Sequence, residues 1–156
     1  MTVLDKPAIK RLVLALRHAL EDDYEAVLRR YGLFSDRDRV APEKLPRATP
    51  ELLHERARMV AAMQPELSRI KAAGTKDANK AQQEATRWYV REAAFTILNR
   101  LVGLKCLEVR KLFPEVIQTR VEYGGRSEYH RDWRAANPVA AAGPDDGLSA
   151  MLLTAF

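Results

Sequence analysis

The sequence predicts a mainly α-helical fold, a helical domain built round one long central helix, with room for one short strand near residues 115–121. Three observations predict it. Ala, Leu, Arg and Glu dominate a chain of 156 residues that holds only 7 glycines and 8 prolines, a composition that favours helix. Apolar residues recur at spacings of three and four over long windows. Two of those windows begin with a capping residue followed at once or closely by proline.

The first window opens at Asp5-Lys6-Pro7, with Asp5 as cap. Ile9, Leu12, Val13, Leu16, Leu20, Tyr24, Val27, Leu28 and Tyr31 then form one stripe, which reads as a packing helix. Gly32 is placed to stop it. Residues 33–48, with Asp36, Asp38, Pro42 and Pro46 among interleaved charges, read as a loop or linker. Thr49-Pro50 opens a second helix whose apolar side is Leu52, Leu53, Ala57, Val60 and Ala61. Pro65 is expected to kink or end it, with a continuation from Glu66 to about Ala73 closed by Gly74.

After a polar turn at 75–79, the most strongly patterned stretch runs from about Ala78 to Phe113 and ends at Pro114. Its middle, Ala93 to Leu107, is apolar on nearly all sides, which predicts a central helix covered over most of its circumference. Cys106, between Leu104 and Leu107, reads as a buried structural thiol. Gly124-Gly125 forces a turn or a close backbone approach. Ser127 to Ala136 can form a short helix broken by Asn137-Pro138, and Gly143-Pro144-Asp145-Asp146 begins a last helical run. The organisation expected is an N-terminal helix at 1–32, a linker at 33–48, and a helical module at 49–156. That module comprises the central helix 78–113 and a basic, aromatic arm at 114–156. The closing residues LSAMLLTAF stop inside an apolar helical pattern, whereas domains usually end in a polar tail; either this helix packs against something in the chain or the chain is cut from a longer protein, and the cut is the expectation.

Lysine and arginine number 26 against 21 acidic residues, a formal net charge of +5 and an isoelectric point near 9.5. Such a surplus fits nucleic-acid contact without requiring it. A single cysteine leaves no internal disulfide framework and no cysteine-based zinc site. No signal peptide is visible and no window approaches roughly 18 uninterrupted apolar residues. A cytoplasmic protein is expected.

No catalytic constellation, metal site or cofactor loop assembles from the residues. His18, His54 and His130 lie far apart, without the spacing of a metal motif. Asp145-Asp146 reads as a turn and helix cap rather than a metal pair. Gly124-Gly125 lacks the surroundings of a phosphate-binding loop. The richest feature is the cluster Arg120, Tyr123, Arg126, Tyr129, His130, Arg131, Trp133 and Arg134. Arginines interleaved with aromatics near a glycine turn can grip phosphates and stack on bases. The competing reading packs Tyr129 and Trp133 onto the core and pairs the arginines with Glu122, Glu128 and Asp132. Arg100, with Arg87, Arg91 and Lys105, offers a second basic surface on the long helix; the competing reading leaves that charge solvated or paired with Glu84, Glu92 and Glu108. The candidate nucleic-acid contacts are therefore Arg120, Tyr123, Arg126, Arg131, Arg134 and Arg100.

The run EAAFTILNRLVGLKCLEVRKLF, followed by EYGGRSEYHRDWRAANP and GPDDGLSAMLLTAF, resembles the N-terminal helical region of large adenine-specific DNA methyltransferases. The likeness is to those of bacterial phage-defence systems, the BREX (PglX-like) and DISARM types, and to related restriction-modification methylases. The shared pattern is Ala94, Phe95, Thr96, Asn99, Arg100, Leu101, Leu104 and Lys105, with Glu108 one turn later, and the likeness covers about Glu84 to Phe156. An Asn-Arg pair inside an apolar helix implies a defined contact if it is buried. The resemblance implies a parent enzyme that uses S-adenosylmethionine and flips an adenine into an Asn-Pro-Pro-Tyr type motif. Here Asn137-Pro138 is followed by Val139 and Ala140, and no glycine-rich cofactor loop is present. The chain is thus expected to be inactive alone, a helical part that docks on the catalytic domain or on defence-system subunits and helps hold DNA. Two other classes stay open: a free-standing helical nucleic-acid-binding protein, and a purely structural interaction domain.

Overall fold

The computed structural model describes residues 5–143 and 145–156. The fold is mainly α, as the composition and spacing predict, with one two-stranded antiparallel sheet. The chain forms two compact units, Met1–Thr96 and Ile97–Phe156. The division falls within the long helix, whereas the sequence places its boundary at the proline-rich loop 33–48.

In the first unit, α1 (Lys6–Arg30) starts where Asp5 accepts a hydrogen bond from the Ala8 amide at 3.0 Å. It ends at Gly32, whose φ of +64° is left-handed and whose absent Cβ would lie 2.6 Å from Leu45 and 2.8 Å from Val40. Glycine is the residue that satisfies both conditions. The loop that follows is not a loose linker: Leu33, Phe34 and Ser35 are buried in it, and Leu45 closes it after a short 3-10 turn at Pro42–Lys44. α2 (Pro50–Ala72) is capped by Thr49, whose hydroxyl accepts from the Leu52 amide at 3.2 Å. It runs through Pro65 without ending there. Both Ala61 and Pro65 are exposed, so water can satisfy the carbonyl that proline leaves without a helical partner.

α3 (Ala78–Val109) supplies the third wall. Leu28, Leu33, Met63 and Val90 form the main core, with Tyr24, Tyr31, Met59, Val60 and Tyr89 packed round it. Leu67, Ile70, Ala81 and Ala85 form a second cluster where α2 meets the start of α3. Two arginines bind the loop to this core through neutral groups. Arg56 donates to the carbonyls of Tyr31 (2.9 Å) and Val40 (2.6 Å). Arg39 donates to the Thr86 hydroxyl and the Met63 sulfur, both at 3.1 Å. Burial, and then the neighbouring Arg56, hold the Arg39 guanidinium below its ordinary pKa.

The second unit begins with the remainder of α3. Lys111 has a φ of +56°, and the Leu112 amide returns to the Leu107 carbonyl at 2.9 Å, so the helix ends at Val109 rather than at Phe113. β1 (Thr119–Arg120) pairs with β2 (Arg126–Ser127), Thr119 opposite Ser127 and Arg120 opposite Arg126. Between them lie a 3-10 turn at Val121–Tyr123 and Gly124-Gly125, both at positive φ. α4 (Glu128–Ala136) is capped by Ser127, α5 (Pro138–Ala141) follows, and α6 (Leu148–Ala155) closes the described chain. Pro144, read from sequence as part of the start of that last run, lies outside the described residues. Leu104, Val116 and Met151 make the core, surrounded by Phe113, Ile117, Tyr129, Trp133, Leu152 and Ala155. The apolar closing helix thus packs within its own unit through Met151, while Leu153 remains exposed.

The middle of α3 departs from expectation. Ala94, Leu98 and Leu104 are buried, but Phe95, Val102 and Leu107 are exposed, as are Asn99, Arg100 and Gly103. Cys106 is exposed too, not the buried thiol its neighbours suggest. The helix is covered on one side only, so the Asn-Arg pair is not buried. A run of apolar residues makes every side of a helix able to pack without deciding how many sides find a neighbour.

Candidate functional site

The residues picked out by chemistry lie in the second unit, and two carboxylates organise them. Glu108, in the last turn of α3, is buried with its side chain 2% exposed. One oxygen accepts from the backbone amides of Val116 (2.5 Å), Ile117 and Gln118 (3.3 Å). The other accepts from Lys105 Nζ at 2.8 Å. Burial pushes its pKa up, but Lys105 and the three amides outweigh that, and the carboxyl sits below its ordinary value. This clamp also explains why the expected strand at 115–121 shrinks to two residues: the amides of 116–118 are committed to a side chain and cannot join a ladder.

Asp146 is the second hub. It sits at φ +58° in the turn before α6. Arg126 Nε donates to it at 2.5 Å, and Arg134 Nε lies 2.7 Å from its other oxygen. The Arg134 contact is an ion pair off the line of a hydrogen bond, since that buried Nε has no hydrogen-bond partner. The buried His130 directs Nε2 to the Asp146 carbonyl at 2.9 Å, which assigns the proton to Nε2, and lies 3.8 Å from the carboxylate. The hydrogen bond from Arg126, then its charge and those of Arg134 and His130, outweigh burial and hold the Asp146 carboxyl below its ordinary range. Its neighbour Asp145 caps α6, accepting from the amides of Gly147 (3.1 Å) and Ser149 (2.9 Å), as the turn-and-cap reading predicts. Gly147 must be glycine: its φ is +73°, and a Cβ would meet Trp133 at 2.7 Å.

The remaining candidates are also occupied. Arg120 makes a bidentate pair with Glu115 and a 3.6 Å contact with Glu122. Arg131 pairs with Asp132 at 2.6 Å and stacks 4.3 Å over the Tyr123 ring. The Arg120 and Arg131 guanidiniums are held above their ordinary pKa by those hydrogen-bonded carboxylates. Arg100 lies 5.4 Å from the Phe156 ring centre and, of the six candidates, is the arginine without an acidic partner among the described residues. Tyr129 tilts against Phe113 at 5.3 Å and packs with Trp133 on the core. The structure therefore brings Arg126 and Arg134 together, with His130, on one acidic residue. It engages Arg120 and Arg131 with acids of their own and leaves Arg100 on the exposed face of α3.

A shallow cleft of about 270 Å³ lies beside this hub, lined in part by Thr119, Gly125, Arg126, His130 and Asp146. Among the described residues no group of three His, Cys, Asp or Glu side chains could hold a metal ion, and His18 and His54 are exposed residues of the first unit. Among the described residues no helix is long and apolar enough to cross a membrane. Asn137, the residue that starts the truncated Asn-Pro pair, closes α4 by donating to the Trp133 carbonyl at 2.9 Å. Comparison with family models, curated proteins and solved structures finds no match to this chain.

Sequence reasoning passed over Glu108 and Asp146 as hubs. For Glu108 a signal existed. A carboxylate in the last turn of a helix opposes the helix dipole, so donors from elsewhere must compensate it. For Asp146 the turn reading accounted for the residue, and nothing local points to arginines 12 and 20 positions away.

Proposed function

We propose that this chain is the N-terminal helical docking part of a phage-defence adenine-specific DNA methyltransferase of the BREX or DISARM type, and that it engages protein rather than gripping DNA through its arginine cluster. The observation that carries the reading is the exposed face of α3 in the second unit. Asn99, Val102, Gly103, Cys106 and Leu107 stand open along it, and they fall within the stretch that resembles those enzymes. A face of apolar and small residues round one amide suits a protein surface. By contrast Arg120, Arg126, Arg131 and Arg134 already hold carboxylates, so phosphate contact would first have to displace Glu115, Asp146 and Asp132. S-adenosylmethionine and the flipped adenine would belong to the catalytic domain of the parent enzyme.

The test mixes the chain with the separately purified catalytic domain of such a methyltransferase and follows complex formation and methyl transfer to duplex DNA. Binding that Val102→Glu and Leu107→Glu weaken supports the reading. No complex, or one indifferent to both changes, sinks it. A salt series with a labelled duplex addresses DNA directly. Weak binding that changes little when Arg120, Arg126, Arg131 and Arg134 become alanine is expected. A steep salt dependence lost in that variant would make the cluster a DNA grip after all.

A further inference from the structure

The stripe of α1 is buried at one end and bare at the other. Leu28 lies in the core with Tyr24 and Tyr31 packed round it. Ile9, Leu12, Val13 and Leu16, on the same side of the helix, are 43%, 59%, 38% and 44% exposed. Charge is segregated along the same helix. From Lys6 to His18 the charged residues are Lys6, Lys10, Arg11 and Arg17, with no acid. From Ala19 to Glu25 they are Glu21, Asp22, Asp23 and Glu25, with no base. Within one helix this order is unfavourable, because cations near an N-terminus oppose the dipole. One internal pair, Arg17 with Glu21 at 3.3 Å, relieves part of it.

We propose that two copies of the chain pair antiparallel through the first half of α1. A basic half followed by an acidic half complements itself when one copy is reversed, and a two-fold interface uses the same surface twice. Setting Val13 opposite Leu16 of the second copy sets Ile9 opposite Leu20 and Lys6 opposite Asp23. In this register residues 24–31, which carry the core, lie outside the span 6–23 over which the two helices overlap. The acidic residues decide against a lipid surface as the occupant. Asp23 lies in line with the apolar stripe, where a membrane would have to bury it and a second copy presents Lys6.

Sedimentation equilibrium of the full chain over a range of protein concentrations tests this. A monomer–dimer equilibrium is expected, abolished in the Val13→Asp, Leu16→Asp double variant. Both positions are exposed, so an unchanged thermal melt of the variant's core shows that folding is intact. Lys6→Glu or Asp23→Lys alone is expected to weaken the dimer roughly tenfold, since each pair occurs twice, and the two together to restore it. A monomer at every concentration overturns the proposal. So does a dimer that survives the double aspartate variant, or one in which the charge reversals do not rescue each other. A monomeric wild type that sediments with phosphatidylserine vesicles assigns the stripe to lipid instead. None of these outcomes involves α3, so failure here and failure of the docking reading are separable.

Discussion

The two units solve the same problem with different material. The first is held by apolar side chains arranged at helical spacing: Leu28, Leu33, Met63 and Val90 meet from α1, the following loop, α2 and α3. Arg39 and Arg56 tie the loop on through carbonyls, a hydroxyl and a sulfur, beside one carboxylate, Glu25, that accepts from Ser35 at 2.7 Å. The second has a smaller buried apolar cluster, Leu104, Val116 and Met151, and is tied by two carboxylates that gather amides and guanidiniums from distant parts of the chain. The lesson concerns directionality. Apolar burial rewards area and tolerates small shifts, whereas a carboxylate clamp works in one geometry and fails when one partner is removed.

The sharpest way to break the contrast is at Met63, which is fully buried at the centre of the first core. Met63→Ala is expected to destabilise by about 4 kcal/mol through lost transfer energy and a residual cavity. It should melt the first unit, and it also strips Arg39 of one of its two partners. Denaturant titration with hydrogen exchange resolved by residue checks this, and a uniform small loss across both units would contradict it.

Next comes Glu108→Ala, with an expected loss of about 3 kcal/mol, because three loop amides lose their acceptor at once. Exchange protection should disappear at Val116, Ile117 and Gln118 while the Leu28–Met63 core keeps its own. Acid has the same target. The Glu108 and Asp146 carboxyls have folded pKa values below their ordinary, unfolded ones. Their stabilisation is therefore fully present above the ordinary carboxylate range and is lost as pH falls through the folded values. The second unit should loosen first as pH drops below about 4, seen as an earlier loss of Trp133 fluorescence signal than of the Met63 core. In Glu108→Ala that acid transition should be smaller.

The smallest effect sharpens the comparison from the other side. Thr49→Ala removes the cap of α2, one hydroxyl on one amide, and should lower stability by about 1 kcal/mol. The loss should be confined to exchange in the first turn of α2, since Thr49 is exposed. A single local hydrogen bond and the Glu108 clamp then differ in reach as well as in size.

Most of the first unit was legible in the sequence. The Asp5 and Thr49 caps, the stop at Gly32 and the stripe through Leu28 and Tyr31 are local signals within a few residues of what they control. Two features there were not legible. The loop from Leu33 to Leu45 is ordered by Arg39 and Arg56, which reach 25 residues or more for some of their partners. The first half of α1 carries a stripe, Ile9, Leu12, Val13 and Leu16, that stays exposed among the described residues. In the second unit the Gly124-Gly125 turn, the Ser127 start, the Tyr129 and Trp133 packing and the Asp145 cap could be read, again from neighbours in sequence. Pairing of the arginines with acids is one of two readings the sequence allows, but the pattern along the chain does not single out two of the main partners, Glu115 and Asp146.

The sequence by itself determined a helical protein, where its three long helices begin, and the residues that carry charge and aromatic chemistry, because caps, prolines and periodicity act over one or two turns. Tertiary structure alone decided which side of α3 is covered, that Glu108 holds the loop after it, and that Asp146 gathers Arg126, Arg134 and His130. Those outcomes depend on which distant donors the fold brings within about 3 Å of an acceptor. No pattern along the chain encodes that distance.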